Sequence, residues 1–219
     1  MKALSALLVA CILPFASLAG AATPPATAVP PVPTFVEKPI TGELLNEIRK
    51  GGFILYMRHG ITDNSRPDRV PSVDINDCNT QRPLSDAGRD LMKRVGQSLR
   101  DAKIPLGKIL VSPMCRTKES AQLAIGDKFE IVESLMYSAN MTREEKKPRI
   151  EALKKLLLVP VAKGGNTLML AHAPNLDDLI GFFVKPEGTV VVFSQSGPNG
   201  YMYEASIHPD DWARLKIKH

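Results

Sequence analysis

From residue 41 onward the apolar positions fall either into short unbroken runs or into stripes at helical spacing. Phe53-Ile54-Leu55-Tyr56-Met57 is such a run, bounded by Gly51-Gly52 and a polar loop, and it predicts a short buried strand. Before it, Thr41 opens a helix with Glu43 in its first turn, Leu44, Leu45 and Ile48 on one face, and Gly51 as its stop. Ser85 caps a second helix, along which Leu91, Val95, Leu99 and Ala102 recur. Lys108 to Val111 predicts a second strand, Thr117 to Ile125 a helix, and Phe129 to Val132 a third strand. Thr142 to Leu158 is patterned as a helix with Ile150, Leu153, Leu156 and Leu157 inward and lysines outside. Thr167 to Ala171 is another apolar strand, followed by a helix from Ala173 to about Val184. Thr189 to Phe193 and Tyr201 to Ile207 predict two strands joined by Gly197-Pro198-Asn199-Gly200, and Pro209 to Trp212 opens a last short helix.

Strands alternating with helices specify the α/β class, a three-layer α/β/α sandwich with a mostly parallel sheet and an antiparallel edge from the last two strands. Three of the strands end alike. Arg58-His59 follows the first, Ser112 and Arg116 follow the second, and His172 follows the fourth. In a parallel sheet these ends share the edge where ligands bind. Two arginines and two histidines meeting there suit a phosphoryl group, because the planar guanidinium bonds phosphate oxygens bidentately and stays charged. The other histidines, His208 and His219, have no comparable setting. Ile61 to Pro83 is a long polar loop, the kind that is functional or disordered inside a compact domain.

The bulk numbers change this picture little. Aromatic residues make up 5% of the chain, which argues against a stacking surface for nucleic acid, and the net charge of +5 favours anionic small partners. Residues 1–22 have the form of a secretory signal: Lys2, an apolar run from Leu4 to Leu18, and Ala19-Gly20-Ala21 as a cleavage site. The run is too short, and too broken by Pro14, for a membrane span. Simple cleavage is favoured over a lipid anchor at Cys11. Residues 23–37 are rich in Pro and Ala and read as an extended linker, leaving 38–219 as one domain in the periplasm or outside the cell. Two cysteines then remain, Cys78 and Cys115. A disulfide is the arrangement expected of such a pair in an oxidising compartment, and two buried thiols are the alternative. No element of the pattern specifies an oligomeric state.

Arg58-His59-Gly60, Ser112-Pro113-Met114-Cys115-Arg116-Thr117 and Leu170-Ala171-His172 resemble, in this order, the motifs of the histidine phosphatase superfamily, which has the phosphoglycerate-mutase-like fold. Pro83-Leu84-Ser85-Asp86-Ala87-Gly88 resembles the segment leading into that family's first long helix. Cys78-Asn79-Thr80-Gln81-Arg82, with Cys115 beside Arg116, is similar to an exported bacterial branch. The resemblance implies that His59 is a nucleophile forming a phosphohistidine, and that Arg58, Arg116 and His172 bind the phosphoryl group. Thr62 and Asn64 match positions that add hydrogen bonds to it, and Gln81, Arg82 and Asn175 complete the substrate-contacting set, Gln81 and Arg82 at the pocket rim. No metal or cofactor is implied.

The family's leaving-group acid is the point of departure. Ala173 follows His172, so an aspartate there is absent. Glu133 is the first candidate acid, with Asp63, Asp77 and Glu187 behind it, and a plain surface role is the alternative for Glu133. The implied activity is a metal-independent, exported phosphomonoesterase acting on a small phosphate ester, for example an envelope sugar phosphate. The alternatives are a phosphohistidine or phosphoprotein phosphatase lacking a strong acid, and a non-catalytic binder of phosphorylated glycans.

Overall fold

Six strands form one sheet in the order β3-β2-β4-β1-β5-β6: β1 Ile54–Arg58, β2 Leu106–Val111, β3 Glu130–Ile131, β4 Asn166–Ala171, β5 Val190–Ser194 and β6 Met202–Ile207. The structure, a computed structural model, describes residues 34–70 and 73–215. The expected signal segment, Cys11, most of the linker and His219 lie outside the described residues. β3, β2, β4 and β1 run parallel, while β5 pairs antiparallel with β1 and β6 antiparallel with β5. This is the mixed sheet with an antiparallel edge that the strand pattern predicts.

The central strands are unbroken apolar runs because helices cover both faces of the sheet. Successive side chains of β1 go to opposite layers. Leu55 and Met57 pack with Leu168, Leu170, Val190 and Val192 against α2 (Asp86–Asp101) and α3 (Cys115–Ala124), through Leu91, Val95, Leu99 and Ala121. Ile54 and Tyr56 pack with Met169, Ala171, Val191 and Phe193 against α4 (Arg143–Leu158) and α5 (Ala173–Ile180), through Leu153, Leu157 and Leu176.

The helix ends follow their capping chemistry. Thr41 and Ser85 accept bonds from the first turns of α1 (Gly42–Ile48) and α2, and Thr142 with Glu145 forms a reciprocal capping box on α4. α5 stops at Ile180, short of the expected Val184, because Gly181 takes a left-handed conformation (φ +71) and closes the turn. α3 starts at Cys115, two residues before the expected Thr117, which places Arg116 in its first turn. The short α6 (Asp211–Leu215) ends the described chain. Phe35, inside the expected linker, stacks on Phe182 at 4.3 Å, so the ordered packing begins before residue 38.

One contact fixes how the site loop meets the sheet. A Cβ on Gly88 would stand 1.9 Å from the carbonyl oxygen of Ile61, so only glycine lets α2 approach the chain leaving β1 this closely. The loop itself is tied down. Cys78 and Cys115 form a disulfide, Thr62 bridges to Leu84, and the amide N–H of Arg69 donates to the carbonyl of Thr80 at 2.8 Å. Among the described residues, no helix is long and apolar enough to cross a membrane.

Candidate active site

The register of the parallel strands brings the predicted chemistry together. Arg58 pairs with Ala171, and Val111 with Leu170, so His59, Ser112 and His172 leave adjacent strands at the same level. Backbone bonds extend the sheet one step further: the N–H of His59 donates to Ala171 and that of Ser112 to Leu170.

His59 is almost wholly buried, and its Nδ1 lies 2.8 Å from the carbonyl oxygen of Gly60. A carbonyl only accepts, so Nδ1 carries the proton and the lone pair stays on Nε2. Burial, then the charges of Arg116, Arg58 and Arg82, hold this imidazole well below its ordinary value of 6.5, although the Gly60 bond pulls the other way. The ring is therefore neutral with Nε2 available to attack.

His172 lies edge-on to His59, with ring centroids 5.2 Å apart. Its Nε2 is 2.8 Å from Ser112 Oγ, and its backbone is clamped by Tyr56, whose hydroxyl donates to the His172 carbonyl and accepts from its N–H. Burial and the nearby arginine charges keep this ring neutral too.

Three guanidinium groups surround the pair. Arg58 donates to the Val184 carbonyl at 2.7 Å and to the Glu187 carboxylate, with the Phe183 ring against it. Arg116, fully buried, pairs with Asp68 at 3.0 Å and lies over the Tyr137 ring, 4.9 Å from its centroid. Arg82 donates to Asn64 Oδ1 at 3.1 Å. Burial lowers the Arg58 and Arg116 values, but guanidinium remains charged across the working range. Against three cations stand two carboxylates, Asp68 and Glu187, which leaves the cluster net positive.

The donors that remain show what this charge is for. Arg58 Nε, Arg82 Nε, Arg116 Nε and Nη2, and His172 Nδ1 are buried and make no hydrogen bond to protein. Buried polar groups normally find partners. Unspent N–H groups on three arginines in the same cluster as His59 can form a cradle for a tetrahedral oxyanion.

The other predicted residues have their own partners or lie apart. Asn64 positions Arg82 rather than facing the cradle through its own carbonyl, and Thr62 is buried in the Leu84 bridge. Gln81 is buried rather than at an open rim, because its amide is spent at both ends: Oε1 accepts from the Cys115 N–H and Nε2 donates to Asp74. Asn175 donates to the Met136 carbonyl and keeps a buried Oδ1 without a partner. Glu133 is exposed at the start of a 3₁₀ turn; only its backbone carbonyl bonds, accepting from Arg149. Asp63 and Asp77 accept bonds within their own turns, from Ser65 and Asn79. Glu187 is held by Arg58.

Asp68, Tyr137, Ser112 and Tyr56 complete the geometry, and the sequence pattern does not single out three of them. Ser112 stands inside a quoted motif. Tyr56 is detectable as a hydroxyl in a buried strand, which demands a partner. Asp68 is one of several acids in a polar loop, and only the folded loop shows its partner. Beside Arg116 opens a cavity of about 220 Å³, lined in part by Asp68 and Tyr137.

The family model for the histidine phosphatase superfamily (branch 1) matches residues 54–146, the segment that carries Arg58, His59 and Arg116. No curated protein matches the sequence. Solved structures share the fold across about 70% of the chain. A structure from Escherichia coli K-12 superposes with a TM-score of 0.53 at 14% identity, covering 72% of this chain and 97% of that one. YhfR of Bacillus stearothermophilus gives 0.51 at 16% identity over 70% and 95%, and the alpha-ribazole phosphatase of Shigella flexneri 0.50 at 15% over 72% and 96%. At such identities the superpositions speak to fold alone. Residues 54–146 are thus similar to the histidine phosphatase superfamily, and the fold brings the strand-end histidines into one cluster.

Proposed function

We propose that this chain is a phosphomonoesterase that works through a phosphohistidine on His59. The observation carrying the reading is the Nδ1 of His59 bonded to the Gly60 carbonyl, together with the unspent arginine N–H groups of the same cluster. In this reading Arg58, Arg82 and Arg116 hold the phosphoryl oxygens and stabilise charge that builds on them during transfer, the main catalytic contribution available in phosphoryl chemistry. Nε2 attacks phosphorus as the ester oxygen leaves, and water then cleaves the P–N bond to regenerate neutral His59. His172, fixed by Ser112 and Tyr56, donates to the same group.

The protein is read as exported. The Cys78–Cys115 bridge fits an oxidising compartment, in line with the signal-like segment 1–22 and a folded domain following the linker. Export suits an envelope sugar phosphate, but the lining of the cavity beside Arg116 weighs against a polyhydroxylated leaving group. Glu133 is the weaker choice of acid on its exposed position. The carboxylates that touch the cradle, Asp68 and Glu187, are both held by arginines, and an ion-paired carboxylate is a poor proton donor. That favours a second reading, a phosphohistidine or phosphoprotein phosphatase, whose leaving group needs little protonation.

The test is phosphate release from phosphoramidate and from phenyl phosphate. Wild type turns both over, and His59→Ala loses about 10³-fold or more. No release by folded wild type contradicts the reading and favours a non-catalytic binder.

A further inference from the structure

We propose that the preferred substrates are aryl phosphate monoesters, with the ring of the leaving group seated in the cavity beside Arg116. This rests on the phosphatase reading and adds the identity of the alcohol.

The cavity adjoins the phosphoryl cradle through two shared neighbours. Asp68 and Tyr137 line it, and both touch Arg116; Tyr137 also meets His172 edge-on at 5.4 Å. In the proposal, a phosphoryl group on the arginines points its ester oxygen toward this space. Apolar and polarisable side chains supply much of its wall: Met114, Met136 and Met141 line it together with Val73 and the Tyr137 ring. Thioethers fill irregular gaps and make favourable contacts with aromatic rings. The acids on the wall are engaged elsewhere. Asp68 holds Arg116 and the Arg82 N–H, and Glu145 accepts from the backbone and hydroxyl of Thr142 in the helix cap. Besides the Tyr137 hydroxyl, Asn140 is the remaining polar side chain of the lining. The lining offers the hydroxyls of a sugar few free partners, and each hydroxyl desolvated without one is costly. A flat ring loses nothing.

The chemistry agrees independently. The carboxylates at the cradle are ion-paired, so the site suits a leaving group that departs without a strong acid. A phenol, with a pKa of about 10, is such a group. Nε2 of His59 bonds to phosphorus as the P–O bond to the ring breaks, Nδ1 keeping its proton. The phenolate departs and takes a proton from solvent. Water then attacks phosphorus, the N–P bond breaks, and dihydrogen phosphate leaves.

The test compares calorimetric binding of benzylphosphonate and methylphosphonate to the folded domain. Burying the ring should make benzylphosphonate bind about 30-fold more tightly. Met141→Gln should bring the ratio down to about threefold, while Met141→Leu keeps it near the wild-type ratio. A wild-type ratio near one, or a ratio that Met141→Gln leaves unmoved, overturns the proposal. Phosphoramidate turnover, measured in parallel, tests the phosphatase reading alone, because its leaving group is too small to use the cavity. Comparing kcat/KM on phenyl phosphate and on a phosphotyrosine peptide separates the two sources of the ring: equality points to small aryl esters, and a higher value on the peptide to a protein side chain.

Discussion

Asp68 reaches Arg116 across 48 residues of chain and holds it in a 3.0 Å ion pair. The same carboxylate oxygen accepts the backbone N–H of Arg82, so one loop acid aims two of the three cations. Its partner is fully buried, so Asp68 balances a charge taken out of water. Asp68→Ala should lower unfolding free energy by roughly 3 kcal/mol, because it strands a buried charge. Inorganic phosphate should restore part of that loss by supplying the missing anion. Denaturant unfolding with and without phosphate reads both effects, and an unchanged midpoint contradicts this role.

The disulfide acts on the same loop from the other side. Cys115 is next to Arg116 in α3, while Cys78 lies in the loop that carries Asp68, Gln81 and Arg82. Closing a loop of this length is worth roughly 4 kcal/mol in the chain-entropy model. Cys78→Ser with Cys115→Ser should lose stability on that scale and bind phosphate or vanadate several-fold more weakly. Unchanged affinity after confirmed reduction shows that the loop holds its shape without the bridge.

The two neutral histidines make stability depend on pH. Both titrate below their unfolded value of 6.5 in the folded chain. Between those values the unfolded chain binds the extra proton, so stability is present above about 6.5 and is lost as pH falls. The slope is at most about 1.4 kcal/mol per pH unit for each histidine. Urea unfolding of wild type and His59→Gln from pH 7.5 to 5 should show the variant with the shallower dependence. Equal slopes would mean that His59 is not held neutral. In kinetics, the acidic limb of kcat/KM for His59 should lie well below 6.5.

Much of this architecture was legible in the residues, for physical reasons. β1 and β4 are buried on both faces and so appear as plain apolar runs, and the polar residues that end them mark the ligand edge. Thr41, Ser85 and Thr142 are capping residues with local partners, so three helix starts were visible. Gly181 ends α5 through a backbone conformation that the helical stripe past it disguised. The loop was the hard part. Gln81 looked like a rim residue because it is polar and near the motif, yet folding spends its amide on Cys115 and Asp74. Asp68 and Tyr137 act through partners far away in sequence, which no local period reports. Glu133 holds a suggestive place in the sequence, but in the fold its side chain is exposed and bonded to nothing in the cluster.

The most direct measurement is to trap the phosphoryl group on the protein. Wild type mixed with radiolabelled phosphoramidate and quenched in alkali should carry label that survives base, is lost in acid, and maps to the peptide containing His59. His59→Ala should carry none. Turnover by wild type with no such label, or with the label on His172, would contradict the account.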